Sequence, residues 1–219
     1  MDASSVIAVI GDIVNSRDMA DRAGAQRLIE AAFAESGVEA ADPLQATVGD
    51  EFQVVYTALG DAVVATTAAM LGLPAGLELR FGLGAGLVRP IGEGGRGPLQ
   101  DGPGWWSARD AINESHRRED AKNPSLRSWF VSSTDPGGPE ERLVNSYFLA
   151  RDQIVSRMNA RARRVALGVL HGSTQAEIAR VEGVTQSAVS QSLQSSGAMA
   201  LVDGLRLLGG ARVAQEGSA

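Results

Sequence analysis

The chain has 219 residues, a formal net charge of −6 and no cysteine. Its length accommodates one large domain or two small ones, and 44% apolar residues can supply a core. Without cysteine, disulfides, zinc thiolate sites and a cysteine nucleophile are excluded, and a reducing, cytoplasmic location is the expectation. No run of about 20 apolar residues is present to cross a membrane. The opening MDASSVIAVIGD lacks the basic segment of a signal peptide. Charge is uneven: residues 1–150 hold 12 Lys/Arg against 21 Asp/Glu, and residues 151–219 hold 8 against 5. An acidic front and a mildly basic back imply two units with different partners.

Ser5 to Ile10 is a continuous apolar run, which predicts a buried strand. Asp12 follows at its C-terminal end, where open sheets place ligands; the plain alternative is that it helps start a turn. Asn15 and Ser16 would leave backbone N–H groups in a small nest for phosphate, and Arg17 would add a charge. Asp18 to Gly37 has a helical pattern that Gly37 ends.

Leu44 to Tyr56 reads LQATVGDEFQVVY. Two β-prone runs around Gly49-Asp50-Glu51 predict a hairpin. Alternation sends Asp50 and Glu51 to opposite sides. Asp50 is then either part of a solvated tip or a ligand for a divalent cation, and Asp12 strengthens the second reading. Gly60-Asp61 would cap a helix over 62–71, and residues 71–76 form a turn. Leu77 to Val88 predicts another strand. On one of its faces Gly82, Gly84 and Gly86 alternate, which implies either tight packing under a helix or room for a nucleotide.

Residues 90–104, rich in glycine and proline, predict a mobile loop. A helix is expected from Trp105 to about Arg118, with Arg109 in its middle and His116 at the surface. A strand over 126–132 and a turn over 135–139 follow. The order β-α-β-β-α-β, then a helix and a strand, matches the ferredoxin-like or palm arrangement. The expected fold class is therefore α+β, with a palm over 1–139, a helical connector over 140–170 and a helix-turn-helix over 171–219.

The connector carries Arg151, Arg157, Arg161, Arg163 and Arg164. In the last unit, Thr174 and Glu177 form a capping box, Gly183 makes the turn and Thr185 caps a second helix. That helix would present Thr185, Gln186, Ser187, Ser190 and Gln191 to DNA, with Arg163 and Arg164 supplying phosphate contacts. It has no Arg or Lys of its own, so a homodimer is expected for duplex binding. The alternative is a small helical unit for assembly. Met199–Val202 and Leu205–Leu208 around Asp203-Gly204 predict a wing of two strands, followed by a frayed tail.

Residues 10–17 (IGDIVNSR), 47–52 (TVGDEF), 79–86 (LRFGLGAG) and 102–109 (GPGWWSAR), with the C-terminal helix pair, resemble the SatD family. The first three stretches also resemble class III nucleotide cyclases, and the GDEF turn resembles that of diguanylate cyclases. That likeness implies Asp12 and Asp50 as ligands for Mg²⁺ or Mn²⁺, with the Ile13 carbonyl beside them. It implies a triphosphate of ATP or GTP cradled by Ile13, Val14, Asn15, Ser16 and Arg17, and Arg109 in the transition-state role. Hard carboxylate oxygens suit these ions. Gln45 and Ala46 stand where cyclases place a base-reading lysine, and Val48 stands at the first glycine of the diguanylate signature. The expectation is therefore a DNA-binding regulator that senses a nucleotide with a divalent cation. A metal-dependent cyclase that releases pyrophosphate and a non-catalytic interaction module are the alternatives.

Overall fold

The computed structural model describes residues 5–209 apart from Ala20, Val48, Gly95 and Arg96. A five-stranded mixed sheet has β1 (Val6–Ile13) at its centre. β3 (Glu51–Tyr56) and β4 (Leu79–Gly86) flank β1, both antiparallel to it. β2 (Asp42–Ala46) closes the edge beside β3, and β7 (Ser128–Ser132) lies parallel to β4 at the other edge. The order is β2-β3-β1-β4-β7. β1 is apolar on both faces because both are covered. Ile7, Val9 and Ile13 enter the main core, while Ala8 and Ile10 pack with Trp105, Ala108 and Ile112 on the opposite side.

On the first face lie α1 (Arg22–Ala34) and α2 (Leu59–Gly72). α1 begins later than its sequence pattern predicts. A 3₁₀ turn over Ser16–Asp18 precedes it, and the Asp21 carboxylate accepts the Gly24 N–H at 2.7 Å as its cap. α2 starts at Leu59 rather than at Ala62, with Asp61 in its first turn, where a carboxylate suits the helix dipole. Every residue from Ala62 to Leu71 is buried, so this helix is covered all round rather than on one face. Thr66 and Thr67 fit there because their hydroxyls donate to the Ala62 and Val63 carbonyls at 2.7 Å.

α3 (Pro103–Ala121) crosses the opposite face against β4, β7 and β1. Its backbone rests on the glycine stripe. A Cβ added at Gly82 would lie 2.2 Å from the Ala108 oxygen, and one added at Gly84 would lie 2.2 Å from both the Ala108 nitrogen and the Gly104 oxygen. The stripe therefore serves close helix packing, and the space the sequence left open for a nucleotide is filled by α3. Gly84→Ala is expected to push α3 off the sheet and cost about 1–3 kcal/mol or more in urea denaturation, the scale of overpacking.

The expected loop over 90–104 is instead an antiparallel ribbon of β5 (Arg89–Gly94) and β6 (Gly97–Asp101). The register shifts between Pro90 and Gly92. A two-stranded ribbon leaves each strand one unpaired edge, so proline is tolerated where a central strand would exclude it. The Gln100 amide donates to Asp42 at 2.8 Å and ties the ribbon to β2.

α4 (Pro139–Ser156) and α5 (Ala160–Leu170) meet at Asn159, whose side chain accepts the Ala162 N–H at 2.9 Å. α6 (Gln175–Glu182), α7 (Gln186–Ser195) and α8 (Ala198–Gly209) complete the described residues. α8 corrects the expected wing. Leu201, Val202 and Leu205 follow helical spacing and are buried, α8 packs on α2, and Arg206 donates to the Val169 carbonyl at 2.9 Å. The apparent Asp-Gly hairpin signal yields to that burial, and residues 210–219 lie outside the described set. Ile178, Val189, Leu193 and Leu205 share one hydrophobic cluster with Val9 and Phe81 of the sheet.

Candidate functional site

The register places three charged side chains side by side. Asp12 of β1 is opposite Glu51 of β3 and Arg80 of β4. Directly opposed residues share a face, and here it is the face of α3. Arg80 is buried and donates from Nη1 to both Asp12 oxygens, at 2.9 and 3.3 Å. On its other side it pairs with Glu119 of α3, Nε donating at 3.1 Å. Arg127 extends the chain of charges, reaching Glu119 and Glu78 at 2.8 Å each. Arg109 of α3, about half-exposed, pairs with Glu51 at 2.7 Å. Burial pushes the Asp12 carboxyl above its ordinary value; Arg80 and the exposed His116 oppose that shift, while Asp50 adds to it.

Asp50 sits at the hairpin tip and is half-buried. Gly49 before it takes φ +85°, the left-handed turn that favours glycine. Alternation predicts opposite sides for Asp50 and Glu51, but Asp50 belongs to the turn, and both residues line one cavity. Alternation does not reveal that Glu51, rather than Asp50, shares a face with Asp12. The signal for that was the pairing register of β1 with β3, a long-range property. Asp50 lines a cavity of about 190 Å³ between α1 and the hairpin, walled by Ile13, Ile29, Leu44 and Phe52 and edged by Gln26 and Glu30. Among the described residues, no group of three or more His, Asp or Glu side chains stands ready to hold a metal.

After β1 the chain makes the turn expected of a nest. Asn15 takes φ 56° and ψ 33°, the left-handed region, and Ser16 begins the 3₁₀ turn. A left-handed residue followed by a right-handed one points successive N–H groups into one concavity. Ser16 is buried, Arg17 is exposed, and the Val14 N–H is bound to the Glu78 carbonyl at 2.9 Å. Arg22 reaches over the turn to the Ser16 carbonyl at 3.3 Å.

A second surface lies on α7. The capping box forms as its residues predict: Thr174 Oγ1 accepts the Glu177 N–H, and Glu177 accepts the Thr174 N–H at 2.7 Å. Gly183 ends α6 at φ 66°, and Thr185 caps α7. Thr185, Gln186, Ser187 and Gln191 are exposed and Ser190 is half-buried. Val189 and Leu193 turn inward. Glu182 occupies a position that would suit an apolar residue, and Arg164 satisfies it there with two bonds of 2.7 Å. Val181 is exposed instead. Arg163 and Arg164 therefore do not act as a pair: Arg164 is tied to Glu182, while Arg163 is half-buried and touches the Val155 carbonyl at 3.4 Å.

No helix among the described residues is long and apolar enough to cross a membrane. No curated protein matches the chain. The SatD family model matches residues 6–203, which span the strands, the nest, the hairpin and the α6–α7 pair, and the chain belongs to the SatD family.

Proposed function

We propose that the protein is a cytoplasmic, dimeric DNA-binding regulator whose sheet unit binds a nucleoside triphosphate with Mg²⁺ or Mn²⁺. The observations that support this reading are Asp12 near the end of β1, the left-handed turn at Asn15-Ser16 that follows it, and an Asp50 charge close enough to raise the Asp12 carboxyl. The order β2-β3-β1-β4, with α1 and α2 on one face, supports a ferredoxin-like or palm reading of the sheet unit. Mg²⁺ keeps most of its water and is held by one or two carboxylates together with substrate phosphates. Asp12 and Asp50 would be those carboxylates, with the Ile13 carbonyl beside them, and triphosphate oxygens would complete the shell. The cation would replace Arg80 as the partner of Asp12. The nest would take phosphate, and the cavity beside Asp50 has apolar walls for a base, with Gln26 and Glu30 at its edge.

This arrangement favours binding over turnover. Arg109 is engaged by Glu51, and no lysine stands near Gln45 and Ala46 to read a base. Calorimetric titration with ATP and GTP, each with and without Mg²⁺, tests the reading. Binding that requires both components supports it. Absence of metal-dependent binding to either nucleotide would overturn it, and pyrophosphate release lost in Asp50→Ala would favour the cyclase instead.

The output would be the α6–α7 pair, a helix-turn-helix with α7 reading the major groove. Gln186→Ala or Gln191→Ala should erode discrimination between duplexes by about 1–3 kcal/mol, the worth of a lost bidentate base contact. Arg164→Ala should lower stability modestly by freeing Glu182, with little change in the salt dependence of binding. Fluorescence polarisation across a salt series separates the two effects.

A further inference from the structure

α7 carries no charged residue: Gln186–Ser195 reads QSAVSQSLQS. A duplex read by this helix must find its phosphate contacts on a neighbouring element, because neutralised phosphates dominate affinity for DNA. A groove of about 560 Å³ runs between α7 and the first turns of α5. Buried Val165 and Val189 form its floor, and Arg161 and Arg164 of α5 stand across it from Gln191, Ser192 and Ser195 of α7. Gln191 also belongs to the exposed face of α7, so the groove is continuous with that face. Among the described residues no carboxylate lines it, although the chain as a whole is acidic.

The two arginines differ. Arg164 spends its bonds on Glu182 and holds that carboxyl below its ordinary value. Arg161 adds only its charge there; it is exposed and makes no side-chain hydrogen bond or ion pair among the described residues. We infer that this groove seats one sugar-phosphate strand of a DNA duplex. Arg161 would donate to a phosphate oxygen, with the Ser195 hydroxyl as a second donor from the opposite wall. A guanidinium stays charged at any working pH and donates in a fork that suits phosphate. The strand would run along the flank of α7 and hold its register while Thr185, Gln186, Ser187 and Gln191 meet base edges. Resting on the DNA reading above, this places the phosphate contact at Arg161 rather than at Arg163 and Arg164.

Fluorescence polarisation of the full chain with duplexes of different sequence, across a salt series, is the test. Arg161→Gln should weaken binding to every duplex alike and flatten the log–log salt slope by about 0.9 for each chain bound. Ser195→Glu puts a carboxylate on the opposite wall without touching Arg161, and should weaken binding as well. Arg27→Gln removes the same charge from the exposed side of α1, outside the groove, and should leave the slope unchanged. Wild-type protein that binds no duplex even at low salt would remove the DNA reading and this groove with it. If the wild type binds, an unchanged slope in Arg161→Gln, undiminished affinity in Ser195→Glu, or an equal flattening by Arg27→Gln would overturn the groove alone.

Discussion

Asp152→Ala is expected to destabilise the fold by about 3–5 kcal/mol, the scale for removing one partner of a buried ion pair. Asp152 and Arg151 are neighbours on α4 and both side chains are fully buried. Asp152 Oδ1 accepts from Arg151 Nε at 2.8 Å, and its Oδ2 accepts the Arg127 and Ser128 N–H groups at 2.7 and 2.9 Å. Arg151 also reaches Thr67 of α2 at 3.0 Å and the Ser128 hydroxyl, and stacks on Phe148. One pair thus fastens α4 to the start of β7 and to the central helix. Burial pushes the Asp152 carboxyl up, while Arg151 and the two N–H groups pull against that shift. The alanine variant leaves a buried guanidinium and two N–H groups unmatched. With total stabilities of about 5–15 kcal/mol, much of the margin would be lost in urea denaturation. A change below about 1 kcal/mol would mean that water reaches the pair.

The second large effect is on function. Asp12→Asn should abolish nucleotide-dependent cation binding while changing stability by less than about 1.5 kcal/mol, the upper end for one ordinary hydrogen bond. The direction of the Asp12 shift explains the asymmetry. Its carboxyl is raised by burial more than Arg80 and His116 lower it. A carboxyl raised in the fold contributes stability fully present below 3.8, the ordinary value, and lost as pH rises through the raised one. At neutral pH the ionised group is therefore held at some cost. Arg80 keeps Glu119 when Asp12 is neutralised. Calorimetry for binding and denaturant melts for stability separate the outcomes. Loss of several kcal/mol with binding retained would make Asp12 a structural partner of Arg80.

Local chemistry made much of the fold legible. The apolar run at the N-terminus became β1, the Gly49-Asp50 turn became the β2–β3 hairpin, and Thr174 with Glu177 formed its box. The failures arose where distant contacts decide. Short-range signals gave a wing at 199–208, but burial against α2 makes a helix of it. Glycine and proline concealed the β5–β6 ribbon, since a ribbon with free edges tolerates both. Within the candidate site, Asp12, Asp50 and the nest were visible as residue types at strand ends. Arg80 and Glu119 were not, because nothing local indicates a contact between residues 68 apart, as Arg80 and Asp12 are, or 39 apart, as Arg80 and Glu119 are. Arg163 and Arg164 were expected together as phosphate contacts, yet Arg163 is half-buried and Arg164 exposed, because the phase of α5 sets how far each of two adjacent arginines meets solvent.

A crystal of the protein grown with Mn²⁺ and a nonhydrolysable triphosphate would decide whether the sheet unit binds a metal–nucleotide. An anomalous manganese peak bound by Asp12 and Asp50 is expected. Phosphate oxygens should lie on the backbone N–H groups of residues 15–17, with the base in the cavity between α1 and the hairpin and Arg80 released from Asp12. Arg80 still bonded to Asp12 at 2.9 Å, with neither manganese nor nucleotide at the end of the sheet, would contradict that binding.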